Sequence, residues 1–256
     1  TVEHYFHDYG GHSPNPIVLL SAIAARTRRI RLITGAVIPA FNHPVKLAGE
    51  LAMLDNVSNG RLDAGFGRAF IPKEFDVFRV SMDESRARFE EGIDIITRLW
   101  TEDRVSYEGK FHSFRDVRLM PRPVQKPHPP IYLAAFTPSA MKRVAVMADA
   151  WLPVGIPLSD VGAMFDGIKN MAKEAGRDPS ALELILTAGV DIHKTPIEKE
   201  RTEFTGSLEQ IGEDFVKARK LGVAEIAIYA QFAPAGETDK DLAARMEELR
   251  AIAKQA

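Results

Sequence analysis

The constraint that most limits what this chain can fold into is an alternation of two hydrophobic periods along nearly its whole length. Runs of buried-strand type, rich in branched residues, are each followed by a segment with apolar residues at helical spacing. Asn15-Pro16 announces a helix that carries IVLLSAIAARTRR to a basic end at Arg28-Arg29, and IRLITGAVIP (30–39) then reads as a strand. HPVKLAGELAMLDNVSNG returns to helix and closes at Asn59-Gly60. RLDAGFG (61–67) is a strand, and residues 83–101 form an amphipathic helix with Phe89, Ile93, Ile96 and Trp100 on one face. Residues 105–130 depart from the rhythm: a turn at Glu108-Gly109, alternation around it and five prolines at the end predict a hairpin and a stiff return, inserted at about 104–123. The alternation resumes with strands at 131–136, 150–155, 182–192 and 224–230, each meeting a helix.

Strands that alternate with helices predict parallel βα units. With VEHYF as the first, seven strands are counted. An open doubly wound sheet could hold them, but no Gly-rich dinucleotide turn follows the first strand. A (β/α)₈ barrel would need one more strand and helix ahead of Thr1. The 256 residues, 45% apolar, suffice for a large core as one big domain or two smaller ones, and a barrel would make residues 1–256 a single domain.

Charge narrows the classes of partner. The 33 basic and 35 acidic residues nearly cancel and are interspersed, so no footprint for nucleic acid or an anionic membrane stands out. No apolar run approaches the roughly 20 residues of a membrane span, and no secretory leader pattern opens the chain. A cytoplasmic location is the expectation. The absence of cysteine excludes disulfides, thiolate metal sites and a cysteine nucleophile.

Several stretches carry candidate chemistry. His4, His7 and His12 lie close together near Glu3 and Asp8. Their spacing suits a metal only if the segment curls, so no metal ligand is assigned. Gly35 and Ala36, small residues inside a strand that otherwise wants bulk, mark a bulge or a close backbone approach. In GFGRAF (65–70) two glycines, Gly67 the second, let backbone approach a ligand, and the Arg68 guanidinium can bind phosphate oxygens in a bidentate fashion. In AAFTPSAMK (134–142), residues Ala135 and Phe136 lead into a helix start. There Thr137 and Ser139 could cradle a phosphate, or Thr137 could simply cap the helix. Trp100 and Phe89 read as core, Arg26, Arg28 and Arg29 as a solvated helix end, His43 as a cap, and Trp151 as pocket lining or barrel filling.

The ordered set VEHYFHDYG, NPIVLLSAIAARTRRIRLITG, HPVKLAGELAMLDNVSNGRLDAGFGR, EFDVF, VSYEGKFHSF, PRPVQKPHPPIYLAA and DAWLPVG resembles the bacterial luciferase-like superfamily of flavin- and deazaflavin-dependent oxidoreductases. That resemblance covers nearly the whole chain. It implies an α/β, TIM-like (β/α)₈ barrel whose first strand and helix would precede Thr1. It implies that His4 handles protons beside the reactive edge of the flavin, Tyr5 standing where a second histidine is common. It further implies that Gly35–Ala36, often a cis peptide, presses on the flavin ring and that Arg68 contacts the FMN phosphate. The activity so implied is that of a monooxygenase using reduced FMN and O2 on a small organic substrate, with a separate flavin reductase and a homodimer formed through residues 16–28 and 44–56. The short stretch HKTPIEKERTEFTG stands where luciferase carries a long insertion, which argues against light emission from a long-chain aldehyde. DAWLPVG and AKEAGRDPS also resemble the branch that uses F420 for hydride transfer. A non-catalytic flavin-binding partner subunit is the third expectation, and a metal hydrolase the most remote.

Overall fold

The computed structural model describes residues 1–6, 13–229 and 238–255. It contains two compact units, Thr1–Leu133 and Ala134–Ala256.

In the first unit, helix α1 (Pro16–Arg26) starts where Asn15 accepts the Val18 N–H at 3.1 Å with Pro16 in the first turn. Strand β1 (Leu32–Ile33), helix α2 (Pro44–Ser58) and strand β2 (Leu62–Phe66) follow. Then come helices α3 (Pro72–Phe78) and α4 (Ser85–Thr101), strands β3 (Val105–Glu108) and β4 (Ser113–Val117), and strand β5 (Ile131–Ala134). Strands β1, β2 and β5 pair in parallel, with Leu32 opposite Leu62 and Ala64 opposite Ile131, whereas β3 and β4 form an antiparallel hairpin. Asn59 ends α2 in the left-handed region, φ 58°, which an asparagine tolerates. The Trp100 indole N–H on α4 donates to the Ala48 carbonyl of α2 at 3.0 Å, so a polar atom enters the core already paired. Arg61 clasps the ends of three elements. Its guanidinium donates to Ser58 O at 2.6 Å, Ile30 O at 2.8 Å, Ala24 O at 3.0 Å and Thr27 Oγ1 at 3.0 Å, which fixes where β2 starts.

Four local expectations change. VEHYF is not a ladder strand. Residues 1–3 lie beside 33–36, joined by hydrogen bonds from Thr1 to Ile33 O, from Gly35 to Thr1 O and from Glu3 to Ala36 O, too few for a regular pairing. The strand expected at 30–39 shrinks to Leu32–Ile33, because beyond it the backbone bonds to these residues and, at Val37, to Gly65 instead of running as a ladder. Helix α1 stops at Arg26, since Thr27 is extended and turns its hydroxyl back on the Ile23 carbonyl at 2.8 Å. Helix α3, absent from the sequence reading, occupies the EFDVF stretch.

In the second unit, α5 (Pro138–Met147), β6 (Ala150–Leu152), α6 (Leu158–Glu174), β7 (Glu183–Gly189), α7 (Leu208–Lys220), β10 (Val223–Tyr229) and α8 (Asp239–Gln255) continue the alternation. Two short strands, β8 (Asp191–Ile192) and β9 (Thr205–Gly206), pair in parallel after β7. Strands β6, β7 and β10 are parallel, with β7 in the middle. Trp151 is fully buried, stacks on Phe165 and donates its indole N–H to Ala135 O at 3.1 Å, which makes it a core residue of this unit. A capping box formed by Ser207 and Gln210 opens α7. No helix among the described residues is long and apolar enough to cross a membrane.

Asp214 on α7 predicts an acid limit to stability. Burial pushes its carboxyl up, but hydrogen bonds from Arg201, the Phe204 N–H and Lys217 outweigh burial and hold it below its usual range. A carboxyl depressed on folding contributes stability that is complete above its unfolded value, about 3.9, and is lost as pH falls through the lower folded value. Denaturant unfolding from pH 6 to pH 2.5 should therefore show a steeper loss below about pH 4 in the wild type than in Asp214→Asn. Parallel curves for the two proteins would refute it.

Candidate functional site

In the first unit the segments that leave β1 and β2 at their C-terminal ends run side by side, and Gly65 decides how close they come. A Cβ on Gly65 would stand 1.9 Å from the Thr34 carbonyl oxygen, and one on Gly67 would stand 3.1 Å from Ala36 Cβ. Only glycine at 65 admits this approach. Thr34 locks it, since its hydroxyl accepts the Gly65 N–H and donates to the Gly65 carbonyl, both at 2.9 Å. Val37 N–H then donates to Gly65 O at 3.0 Å and Gly67 N–H to Val37 O at 2.9 Å. Between these anchors the Gly35–Ala36 peptide is cis. Its flanking polar groups are taken by residues 1–3: Gly35 N–H by Thr1 O at 2.6 Å and Ala36 O by Glu3 N–H at 3.0 Å.

His4 sits on this arrangement and is 6% exposed. Its Nδ1 lies 3.2 Å from Oε1 of Glu74, and its ring meets the edge of Phe70 at 5.8 Å. Glu74 is fully buried on α3, and its Oε1 also accepts the Tyr5 N–H at 3.0 Å. A second buried carboxylate, Glu3, accepts the Ile38 N–H at 2.7 Å, the Asn42 amide at 3.0 Å and the Tyr5 hydroxyl. Burial pushes the Glu3 carboxyl above the usual carboxylate range despite these three donors, and Glu74 adds to the rise. Burial and the adjacent Glu3 likewise push the Tyr5 phenol up.

Past β2 the chain becomes solvent-facing. Arg68 is exposed and makes no ion pair or hydrogen bond among the described residues, while Phe70 is 68% exposed. Of the candidates in this unit, His4, Gly35, Ala36, Gly67 and Arg68 thus lie on neighbouring segments at one end of β1 and β2. His7, His12 and Asp8 lie outside the described residues.

The remaining candidates follow β5 and belong to the second unit. Ala135 is buried and its carbonyl is held by Trp151, Phe136 is 54% exposed, and Thr137 is the N-cap of α5. The Thr137 hydroxyl accepts the Ala140 N–H at 3.3 Å and lies 3.3 Å from the Ser139 hydroxyl. Capping therefore occupies one hydroxyl of the pair at an exposed helix N-terminus. Beyond β6 and β7 the same unit holds a cleft of about 470 Å³ lined by Ile156, Leu186, Thr187, Asp191, Glu203 and Phe204.

Sequence reasoning missed Glu74, Glu3 and Asn42 as members of the site. The signal for Glu74 was a glutamate on the apolar stretch EFDVF. Its partner lies 70 residues away, and no spacing rule connects them. His43 does begin α2, but its side chain makes no capping bond; it packs edge-on against His112, with ring centroids 5.1 Å apart.

Three relatives bear on this arrangement. The crystal structure of the monooxygenase RslO1 from Streptomyces bottropensis superimposes with a TM-score of 0.86 at 37% identity, covering 99% of this chain and 85% of that one. The oxygenase component of a flavin-dependent trigonelline monooxygenase from Acinetobacter baylyi is 41% identical over 130 residues, 50% of this chain and 36% of the relative. An F420-dependent glucose-6-phosphate dehydrogenase from Microbacterium testaceum is 31% identical over 205 residues, 77% of this chain and 60% of the relative. The chain spans about half the length of the curated relatives it matches. The expectation of an α/β fold of TIM-barrel type is borne out by the parallel βα order and the structural match. Since the family profile described as luciferase-like monooxygenase matches residues 1–256, the chain belongs to the luciferase-like monooxygenase family.

Proposed function

We propose that this protein is a flavin-dependent monooxygenase that takes reduced FMN from a separate reductase and uses O2 on a small organic substrate. The observation that carries the reading is Arg68, an exposed guanidinium with no protein partner among the described residues, just past the end of β2 where Gly67 keeps the backbone open. A solvated cation at the C-terminal end of a barrel strand suits a phosphate. Within the first unit, Gly35 and Ala36 would lie against the flavin ring and Arg68 would hold the phosphate end; within the second, Thr137, Ser139 and the backbone of Ala135 and Phe136 are a separate candidate phosphate cradle. Reduced FMN, when bound, supplies the electrons that activate oxygen.

The chain's own residues supply the rest. Gly65 and Thr34 hold the Gly35–Ala36 peptide in place, and His4, buried but beside exposed loop residues, gives and takes a proton at its imidazole. The cleft beyond β6 and β7 is in the size range of small-molecule pockets. Exposed apolar residues of the first unit, Val18 and Leu19 on α1 with Met53 and Val57 on α2, support a homodimer face.

A second reading, hydride transfer with F420, is favoured by the dehydrogenase relative, whose match covers more of this chain than the oxygenase component does. Anaerobic equilibrium binding of reduced FMN and reduced F420, side by side, separates the two. Tighter binding of FMN is expected, and Arg68→Ala should weaken it roughly tenfold to a hundredfold, the range of a charge-assisted hydrogen bond. A preference for F420 would replace the first reading with the second, and binding of neither would sink both.

A further inference from the structure

Glu74 is the side chain near His4 for which flavin binding by itself gives no reason. It lies in the first turn of α3, where a glutamate ordinarily faces water, yet it is fully buried. Its Oε1 takes both the Tyr5 N–H and the His4 Nδ1, while Oε2 is buried with no hydrogen-bond partner. A packing role alone would be filled at lower cost by an apolar residue, because a buried carboxylate oxygen without a donor is penalised. The carboxylates acting on this corner, Glu3, Glu50 and Glu74, share one sign, and Tyr5 already gives its hydroxyl hydrogen to Glu3. The edge of Phe70 restricts the imidazole from another side.

Where Oε1 accepts from the imidazole, the ring nitrogen facing it carries hydrogen. We propose that Glu74 is a positioning residue for His4: its Oε1 takes the Nδ1–H and so fixes the tautomer in which Nε2 exchanges a proton with a molecule bound past β1 and β2. When the ring takes a proton, the Nε2 lone pair forms the new N–H bond and Nδ1–H stays on Glu74. When the proton returns to the bound molecule, the same neutral tautomer is restored, with no electron gained or lost. Second partners of this kind commonly decide which imidazole nitrogen is reactive. The identity of the bound molecule rests on the flavin reading; the tautomer does not.

The test is ¹⁵N–¹H correlation spectroscopy of the histidine rings in the whole chain at pH 8, with the His4 signals identified by their loss in His4→Asn. The expected result is a His4 ring protonated at Nδ1 and bare at Nε2. Glu74→Leu should release it toward the Nε2–H form, and Glu74→Gln, whose amide oxygen still accepts, should keep Nδ1–H. In parallel, re-oxidation of bound reduced FMN by oxygen should slow at least about tenfold in Glu74→Leu, the scale of general acid–base effects. Its dissociation constant should stay within about twofold, and Glu74→Gln should restore most of the rate, as a split confined to the proton step requires. A wild-type His4 protonated at Nε2 overturns the proposal whether or not the leucine variant folds, and so does a tautomer that Glu74→Leu leaves unchanged. If His4 carries Nδ1–H but reduced FMN fails to bind the wild type, the flavin reading falls and the assignment to Glu74 stands.

Discussion

Replacing His4 with asparagine is expected to slow the oxygen-dependent re-oxidation of bound reduced FMN by about two orders of magnitude or more, the contribution of a positioned general acid–base group. Asparagine is the informative substitution because its amide nitrogen stands roughly where Nδ1 does. The hydrogen bond to Glu74 and much of the packing against Phe70 are then kept while the titrating ring is lost. His4→Ala removes both, and it should lower the rate at least as far and the melting temperature as well. Stopped-flow absorbance of the anaerobically loaded protein mixed with oxygen gives the rate, and a binding titration shows that reduced FMN is still held. If the asparagine variant reacts like the wild type while the alanine variant is impaired, His4 is a packing residue and the proton must move elsewhere.

Much of this arrangement was legible in the sequence, and the reason is locality. The βα alternation, the hairpin turn at Glu108-Gly109, the caps at Asn15 and Thr137 and the small-residue pair at 35–36 are each written within a few residues. Each signal is local, so it can be read without knowing which distant segment the element meets. What escaped depends on pairs far apart in the chain. VEHYF has the composition of a strand, but among the described residues the three backbone hydrogen bonds to 33–36 involve Thr1 twice and Glu3 once, so no ladder develops. Helix α3 is seven residues long and buries a glutamate, which hides the amphipathic pattern by which a helix is recognised. Glu74 inverts the rule that charges face water, and its partners, the His4 ring and the Tyr5 N–H, lie 70 and 69 residues away. The places where local rules fail here are those where a site is assembled from two segments.

Gly65→Ala should be the most damaging single-methyl change in the first unit. The added Cβ is fixed by the backbone and cannot rotate away, and at 1.9 Å from the Thr34 carbonyl it overlaps backbone, not a flexible side-chain end. Relief requires β2 to move from the segment after β1, which breaks the two Thr34 hydroxyl bonds and shifts the Gly35–Ala36 peptide. Overpacking of this severity costs about 3 kcal/mol or more, which for a chain of this size lowers the melting temperature by roughly 5 to 12 °C. Two other glycines calibrate the result. Gly67→Ala meets only the Ala36 methyl at 3.1 Å and should fall well short of that loss. Gly167→Ala, in the interior of α6 with nothing within 4 Å, should stabilise by up to about 1 kcal/mol through helix propensity alone. The damage at 65 should also reach binding, since the displaced peptide is the surface proposed above to face the flavin ring. Calorimetric melting of the three variants, followed by reduced FMN titration of those that fold, decides the matter. A Gly65→Ala protein that melts with the wild type would mean that the two strand ends can part at no cost, and that the close approach is not what shapes the site.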